Sequence, residues 1–195
     1  MANLPNLLSI VRLLLVPVLL ALASGGQARP FLGLLIGSLA TDVADGWLAR
    51  RFNLATPLGA RLDSWADFLT WLALPVCAWW LRPEALRQEA VFIGIGIFFY
   101  LAATAAGFLK FRRLTSYHTW GAKLAFALFG AAVLVFFSGG PSSLVRWVMP
   151  VVMLTAIEEI AITLTLPELV SNVPSLWHAR RVSRRLGVKR EKVEV

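Results

Sequence analysis

The chain contains 195 residues, of which 58% are hydrophobic and only 15% are charged. Together with a mean hydropathy of +0.71, this composition argues against a soluble globular domain and favours a protein embedded in a lipid bilayer. Because the apolar content requires a membrane, the net charge of +8 predicts anionic lipid, and not nucleic acid, as the electrostatic partner. A single cysteine, Cys77, excludes an intrachain disulfide and a cysteine-ligated metal cluster.

Six apolar segments, each about 20 residues long, predict an all-α polytopic membrane protein with six transmembrane helices. The predicted helices are 5–24, 30–50, 58–81, 89–109, 118–138 and 145–166. Short segments with turn-forming residues, such as Ser24-Gly25-Gly26 and Arg82-Pro83-Glu84, join them. We expect one membrane domain over residues 1–170 and a basic cytoplasmic tail over residues 171–195.

The distribution of basic residues predicts the orientation of these helices. If the N-terminus is cytoplasmic, most Lys and Arg residues fall on the inner side, and only Arg29, Arg82, Arg87 and Arg146 fall outside. The positive-inside rule therefore places both termini in the cytoplasm. We expect an integral protein of a bacterial-type inner membrane.

Four aspartates, Asp42, Asp45, Asp63 and Asp67, crowd at one side of the second and third predicted helices. Their spacings of three and four residues put each pair on one helix face. An ionised aspartate inside a membrane segment costs about 2.5–3.5 kcal/mol, so four together need compensation. Carboxylate oxygens suit Mg²⁺ or Mn²⁺, and four acids suffice for two ions. The pattern therefore predicts a divalent metal site near the cytoplasmic surface.

The aspartates belong to a longer motif, Asp42-x2-Asp45-Gly46-x2-Ala49-Arg50-x8-Gly59-x3-Asp63-x3-Asp67. At all eight specified positions it resembles the signature of the CDP-alcohol phosphatidyltransferases, metal-dependent membrane enzymes of phospholipid synthesis. The resemblance implies transfer of a phosphatidyl group from CDP-diacylglycerol to a small alcohol, with release of CMP, at a site that faces the cytoplasm. The family commonly forms homodimers.

The resemblance also implies roles for the residues of the motif. The metal-binding acids correspond to Asp42, Asp45, Asp63 and Asp67. Asp67 corresponds as well to the general base that accepts the proton of the acceptor hydroxyl. The positions around the cytidine nucleotide correspond to Gly46, Ala49, Arg50 and Gly59.

Two further resemblances bear on the acceptor alcohol. The segment 4–12 and the run Ala156-Ile157-Glu158-Glu159 are similar to phosphatidylglycerophosphate synthases, whereas Leu62-Asp63-Ser64-x-Ala66-Asp67 is similar to phosphatidylserine synthases. A phosphorylated acceptor needs cations and polar donors near the metal site. The candidate phosphate ligands are Asn6, Arg12, Lys110, Arg112, Arg113, His118 and Lys123. This set favours glycerol 3-phosphate, with serine or a cardiolipin synthase-like acceptor as alternatives, although positive-inside topology and helix capping also account for these residues.

A cation or proton transporter is the alternative from another class, because acids inside membrane helices also mark ion pathways. That alternative predicts acids near the bilayer midplane and repeated halves. Here the acids gather at one predicted interface and no internal repeat is apparent. The sequence therefore favours the enzyme, and a non-catalytic family member that only binds cytidine nucleotide is a second alternative.

Overall fold

A computed structural model of the chain describes residues 4–52, 56–112, 117, 119–170 and 173–191, without the side chains at 4–5, 45, 47, 49–50, 57 and 185–191. Within these ranges the only regular secondary structure of the chain is α-helix, which confirms the predicted fold class. The helices are α1 (Leu4–Ser24), α2 (Ala28–Arg51), α3 (Pro57–Leu81), α4 (Pro83–Phe111), α5 (Trp120–Phe137), α6 (Ser143–Thr165) and α7 (Leu176–Glu191). The six predicted segments correspond to α1 through α6.

The largest difference from the predicted bounds is at the start of α4. The helix begins at Pro83 and not at residue 89, so only Arg82 separates it from the end of α3. Proline is tolerated at the first position of a helix because no intrahelical partner is needed for its missing N–H. Glu84 in the first turn complements the positive end of the helix dipole. The turn between α3 and α4 is therefore much shorter than predicted.

Four helices are long and apolar enough to cross a membrane: α1 from Asn6, α4, α5 and α6. These helices make the chain an integral membrane protein. In the part of the chain that the structure describes, α2 and α3 do not reach this threshold. Each of the two helices carries a pair of the conspicuous aspartates and further polar residues, which lower its hydropathy. The predicted six spans thus go beyond the four that composition supports.

The first of two compact units comprises residues 1–90 and 130–145. In this unit α1 packs against both α2 and α3. Gly26, with φ of 68°, forms the turn between α1 and α2, a conformation that glycine adopts without a steric penalty. Cys77 is fully buried, as a small packing residue would be. The packing of α1 brings three helices together around the aspartates.

The second unit comprises residues 91–129 and 146–195. Its core contains Tyr117, Ile162, Leu166, Val173 and Ala179. The start of the predicted tail is therefore packed into a hydrophobic core, and α7 continues from it as a helix. Ala179 on the inner face of α7 is fully buried, while Arg180, Arg181 and Arg184 are exposed, as expected for an amphipathic helix.

Candidate metal and catalytic site

Three of the four predicted metal ligands converge in the first unit. Asp63 and Asp67 lie four residues apart on one face of α3, and Asp42 approaches them from α2. One carboxylate oxygen from each residue lies within 4.8 Å of the other two. Like charges this close repel one another strongly in a medium of low dielectric constant. A positive partner therefore stabilises the cluster.

Arg12 of α1 supplies that charge. Its Nη1 lies 2.5 Å from Asp42 Oδ1 and 2.7 Å from Asp63 Oδ1, and its Nη2 contacts Asp67 Oδ1. The residue is only 3% exposed. The planar guanidinium fork presents several donors at once, so one side chain joins carboxylates from two different helices. The sequence interpretation placed Arg12 among the phosphate ligands and missed this pairing.

The first turn of α3 joins α1 through two predicted site residues, Asn6 and Gly59. Thr56 caps the helix, because its Oγ1 accepts a hydrogen bond from Gly59 N at 3.0 Å. The same hydroxyl donates to Asn6 Oδ1 at 3.1 Å. A Cβ at position 59 would overlap Asn6 Oδ1. A larger residue at position 59 would therefore require the Asn6 side chain to move.

The remaining motif residues lie on α2. Gly46 follows Asp42 by four residues, so it lies on the same face of the helix, and it is partly buried. The side chains of Asp45, Ala49 and Arg50 lie outside the described residues. Their roles as fourth metal ligand and nucleotide contacts stay predictions.

The three converging carboxylates fit a hard divalent cation. They offer only oxygen donors, which Mg²⁺ and Mn²⁺ prefer, and the donor atoms are close enough for one ion to be shared. The side chains of Asp63 and Asp67 are 37% and 34% exposed, so an ion and a substrate can reach them from outside the unit. Asp42, Asp63 and Asp67 are therefore the residues that would hold such an ion.

Two of the predicted phosphate ligands of the second unit, Lys110 and Lys123, have other partners. Lys110 Nζ donates to the carbonyl oxygens of Thr163 at 2.8 Å and Leu164 at 3.0 Å, in the last turn of α6. A cation at this position satisfies carbonyl groups at the negative end of the helix. Lys123 Nζ lies 4.8 Å from the centroid of the Trp120 ring, and Arg112 is exposed. Arg113 and His118 lie outside the described residues.

Glu158, which belongs to the run Ala156-Ile157-Glu158-Glu159 noted in the sequence, also has a structural partner. Its Oε1 accepts a hydrogen bond from the backbone N–H of Leu176 at 3.2 Å. Leu176 is the first residue of α7, where free backbone N–H groups and the helix dipole attract a carboxylate. Glu158 thus anchors the start of α7 to α6 within the second unit.

The helical fold, the apolar helices and the convergent aspartates define a membrane protein with a polar, acid-lined site. A profile of the CDP-alcohol phosphatidyltransferase family matches residues 2–172. The chain therefore belongs to the CDP-alcohol phosphatidyltransferase family. Membership favours the enzyme over the transporter alternative.

Curated relatives resemble the chain over part of its length. A "Putative cardiolipin synthase" of Mycobacterium tuberculosis is 32% identical over 98 residues, covering 46% of this chain and 47% of the relative. A "CDP-diacylglycerol--glycerol-3-phosphate 3-phosphatidyltransferase" of Rickettsia typhi is 44% identical over 73 residues, covering 35% and 40%. A protein of the same name from Pseudomonas fluorescens is 39% identical over 70 residues, covering 34% and 36%. The chain thus spans less than half the length of these relatives, and no solved structure matches it.

Proposed function

We propose that the chain transfers a phosphatidyl group from CDP-diacylglycerol to glycerol 3-phosphate and releases CMP. The observation that carries this proposal is the convergence of Asp42, Asp63 and Asp67, spaced as in the family motif, in one partly exposed cluster. The names of the relatives from Rickettsia typhi and Pseudomonas fluorescens support this choice of donor and acceptor.

In the proposed reaction, the acceptor hydroxyl oxygen attacks the phosphorus that carries the diacylglycerol. A new oxygen–phosphorus bond forms, and the bond from that phosphorus to the CMP oxygen breaks. The hydroxyl proton passes to the carboxylate of Asp67, which acts as general base. Asp67 suits this role because its side chain is about one-third exposed, so an acceptor hydroxyl can reach its carboxylate.

The four aspartates of the motif would hold two divalent cations, Mg²⁺ or Mn²⁺. When bound, such cations neutralise negative charge on the diphosphate and on the departing CMP. Asp42, Asp63 and Asp67 supply the described part of this ligand set, and we assign Asp45 as the fourth member. We assign the nucleotide contacts to Gly46, Ala49, Arg50 and Gly59.

We further propose that all six helices α1 through α6 cross a bacterial-type inner membrane, with both termini and the site on the cytoplasmic side. The aspartates support this arrangement, because they occupy the C-terminal half of α2 and the N-terminal half of α3, next to one connecting segment. Their polarity then lies at the membrane surface, where the nucleotide meets water while the acyl chains stay in lipid. A homodimer remains part of the proposal.

For the acceptor phosphate, we propose recognition by Asn6 and Arg12, which lie in the same unit as the aspartates. The sequence-based assignments of Lys110, Arg112, Arg113, His118 and Lys123 to the acceptor stay predictions, and Lys110 also binds the carbonyl groups of α6. Arginine and lysine are the usual phosphate ligands in proteins.

A cardiolipin synthase-like activity, with phosphatidylglycerol as the acceptor, is the second candidate. The resemblance to the Mycobacterium tuberculosis relative favours it. Such an acceptor offers a free hydroxyl on a lipid headgroup and a phosphodiester in place of a phosphomonoester. Serine is a third acceptor of the same chemistry, favoured by the run from Leu62 to Asp67.

The direct test is CMP release by the purified protein with CDP-diacylglycerol and Mg²⁺. Glycerol 3-phosphate, phosphatidylglycerol, serine and inositol phosphate are supplied in separate reactions, with an acceptor-free reaction as the control. We expect release with glycerol 3-phosphate above the control. Release with another acceptor alone would reassign the substrate, and binding of cytidine nucleotide with no release in any reaction would contradict the enzymatic proposal.

A further inference from the structure

Arg12 contacts all three carboxylates of the aspartate cluster in the first unit. It comes from α1, whereas the acids that it contacts come from α2 and α3. It is almost completely buried, and its partners are the same three carboxylates that fit a divalent cation. One positive group of the protein therefore already neutralises part of the proposed metal site.

We infer that Arg12 is an exchangeable counter-cation of the metal site. It holds Asp42, Asp63 and Asp67 together in the absence of divalent cations and competes with those cations for the same carboxylates. This inference rests on the proposed metal-dependent function. It makes Arg12 a positioning residue with a second, opposing effect on metal affinity.

The competition follows from the chemistry of the guanidinium group. Arginine stays protonated at all physiological pH values, so Arg12 cannot lower its charge when a cation arrives. Two positive groups that share the same carboxylates at contact distance repel each other and divide the same lone pairs. Binding of a divalent cation therefore requires the fork to give up at least part of its contacts.

The positioning follows from the cost of leaving buried acids unpaired. Without Arg12, three carboxylates within 4.8 Å of one another have no described cation in contact with them. Removal of one partner from a buried ion pair is strongly destabilising for this reason. The metal-free protein thus depends on Arg12, and the metal-loaded protein depends on it less.

Displacement of Arg12 from the carboxylates also allows its guanidinium group to bind phosphate. A guanidinium fork that has lost carboxylate partners binds phosphate oxygens well, because the geometry of its donors matches them. This links the counter-cation role to the phosphate-binding role that the sequence predicts for Arg12. Arg12 acts as a counter-cation before the metal binds and as a phosphate ligand afterwards.

Two variants test the inference with readouts other than activity. Arg12→Met removes the charge with a similar side-chain length, and Arg82→Met is the matched control. Arg82 is a partly buried arginine of the same unit whose guanidinium donates to the carbonyl oxygens of Phe136 and Gly140. The measurements are Mn²⁺ affinity, from the EPR signal of free Mn²⁺, and the thermal midpoint with and without Mn²⁺.

For Arg12→Met we expect Mn²⁺ affinity to rise about tenfold, comparable to the effect of one nearby charge on a carboxylate equilibrium. We also expect a lower metal-free midpoint and a larger rise of the midpoint on adding Mn²⁺. For Arg82→Met we expect a lower midpoint with unchanged Mn²⁺ affinity. If Arg12 has a purely structural role, both variants will show a lower midpoint with unchanged Mn²⁺ affinity. That result would overturn the inference.

Arg12→Lys keeps the inference testable if the methionine variant does not fold. A lysine ammonium is a single point charge and contacts fewer carboxylates than the fork, so we expect a smaller gain in Mn²⁺ affinity. Unchanged or weaker affinity in Arg12→Lys overturns the competition. If the wild-type protein itself binds no Mn²⁺, the proposed metal-dependent function fails. If the wild type and the variants bind Mn²⁺ equally well, only the inference about Arg12 fails.

Discussion

The two units use charged side chains in different ways. In the first unit, side chains from three helices meet one another, as Arg12 joins Asp42, Asp63 and Asp67. In the second unit, charged side chains meet backbone groups at helix ends: Lys110 meets the last carbonyls of α6 and Glu158 meets the first N–H of α7. Charges that cap helices have fixed partners, whereas a cluster of carboxylates with one shared cation can exchange that cation. We therefore interpret the aspartate cluster as the functional site and the contacts of Lys110 and Glu158 as structural anchors.

Removal of divalent metal should have the largest effect, and it should act on the first unit, which contains the proposed metal site. With EDTA we expect CMP release to fall by more than about a hundredfold, because the charge on the diphosphate then has no metal partner. Excess Mg²⁺ or Mn²⁺ should restore it. EDTA already saturated with Mg²⁺ is the control, and equal release in both treatments would contradict a metal-dependent site.

Gly59→Ala should disturb the first unit at the contact between α1 and α3. The added Cβ would overlap Asn6 Oδ1 and displace the Asn6 side chain, which accepts a hydrogen bond from Thr56 at the start of α3. We expect kcat/KM to fall about ten- to a hundredfold, as small misplacements of catalytic groups do.

Gly94→Ala is the matched control for this substitution, because a Cβ at Gly94 in α4 would meet nothing within 4 Å. We expect it to leave activity unchanged and to stabilise the helix by about 0.5–1 kcal/mol. No loss of activity in Gly59→Ala would show that the close approach is unimportant.

Glu158→Ala tests the interpretation of the second unit as structural. The change removes the carboxylate that accepts from Leu176 N, and loss of such a cap costs about 0.5–2 kcal/mol. For a chain of this size each kcal/mol lowers the thermal midpoint by about 2–4 °C. We expect normal kcat per folded molecule. A large loss of kcat without loss of stability would place Glu158 in the catalytic machinery.

Lys110→Met should have the smallest effect. It removes the cation that binds the last carbonyls of α6, an interaction worth about 0.3–1 kcal/mol at a helix end. We expect a small decrease in the thermal midpoint and an unchanged KM for glycerol 3-phosphate. A severalfold higher KM at normal stability would instead return Lys110 to the acceptor-binding residues.

Much of the fold is predictable from local sequence patterns. The apolar runs predict α1 through α6, because helix formation and membrane burial both depend on neighbouring residues. The start of α4 is less predictable, since Pro83 reads equally well as a turn residue and as the first residue of a helix. The tail reads as a basic surface segment, yet Ala179 is buried in a core with Ile162 and Leu166. That packing depends on residues distant in sequence.

The candidate site shows the same division. Asp63 and Asp67 share a helix face by spacing alone, so their proximity is predictable, and the motif adds Asp42. The contact of Arg12 with Asp63 joins residues 51 positions apart, and no periodicity predicts such a pair. The contacts of Lys110 with Thr163 O and of Glu158 with Leu176 N are likewise unpredictable from local sequence, because they form only where helix ends meet.

We propose that the aspartate cluster performs the chemistry and that Asp67 accepts the proton. The most direct measurement is CMP release from CDP-diacylglycerol by Asp67→Asn, with Glu158→Gln as the matched isosteric control and CDP binding measured for both. We predict about a thousandfold lower kcat for Asp67→Asn, in the range of general-base catalysis, with much of the CDP binding retained, and near-normal kcat for Glu158→Gln. Unchanged turnover by Asp67→Asn would contradict the account.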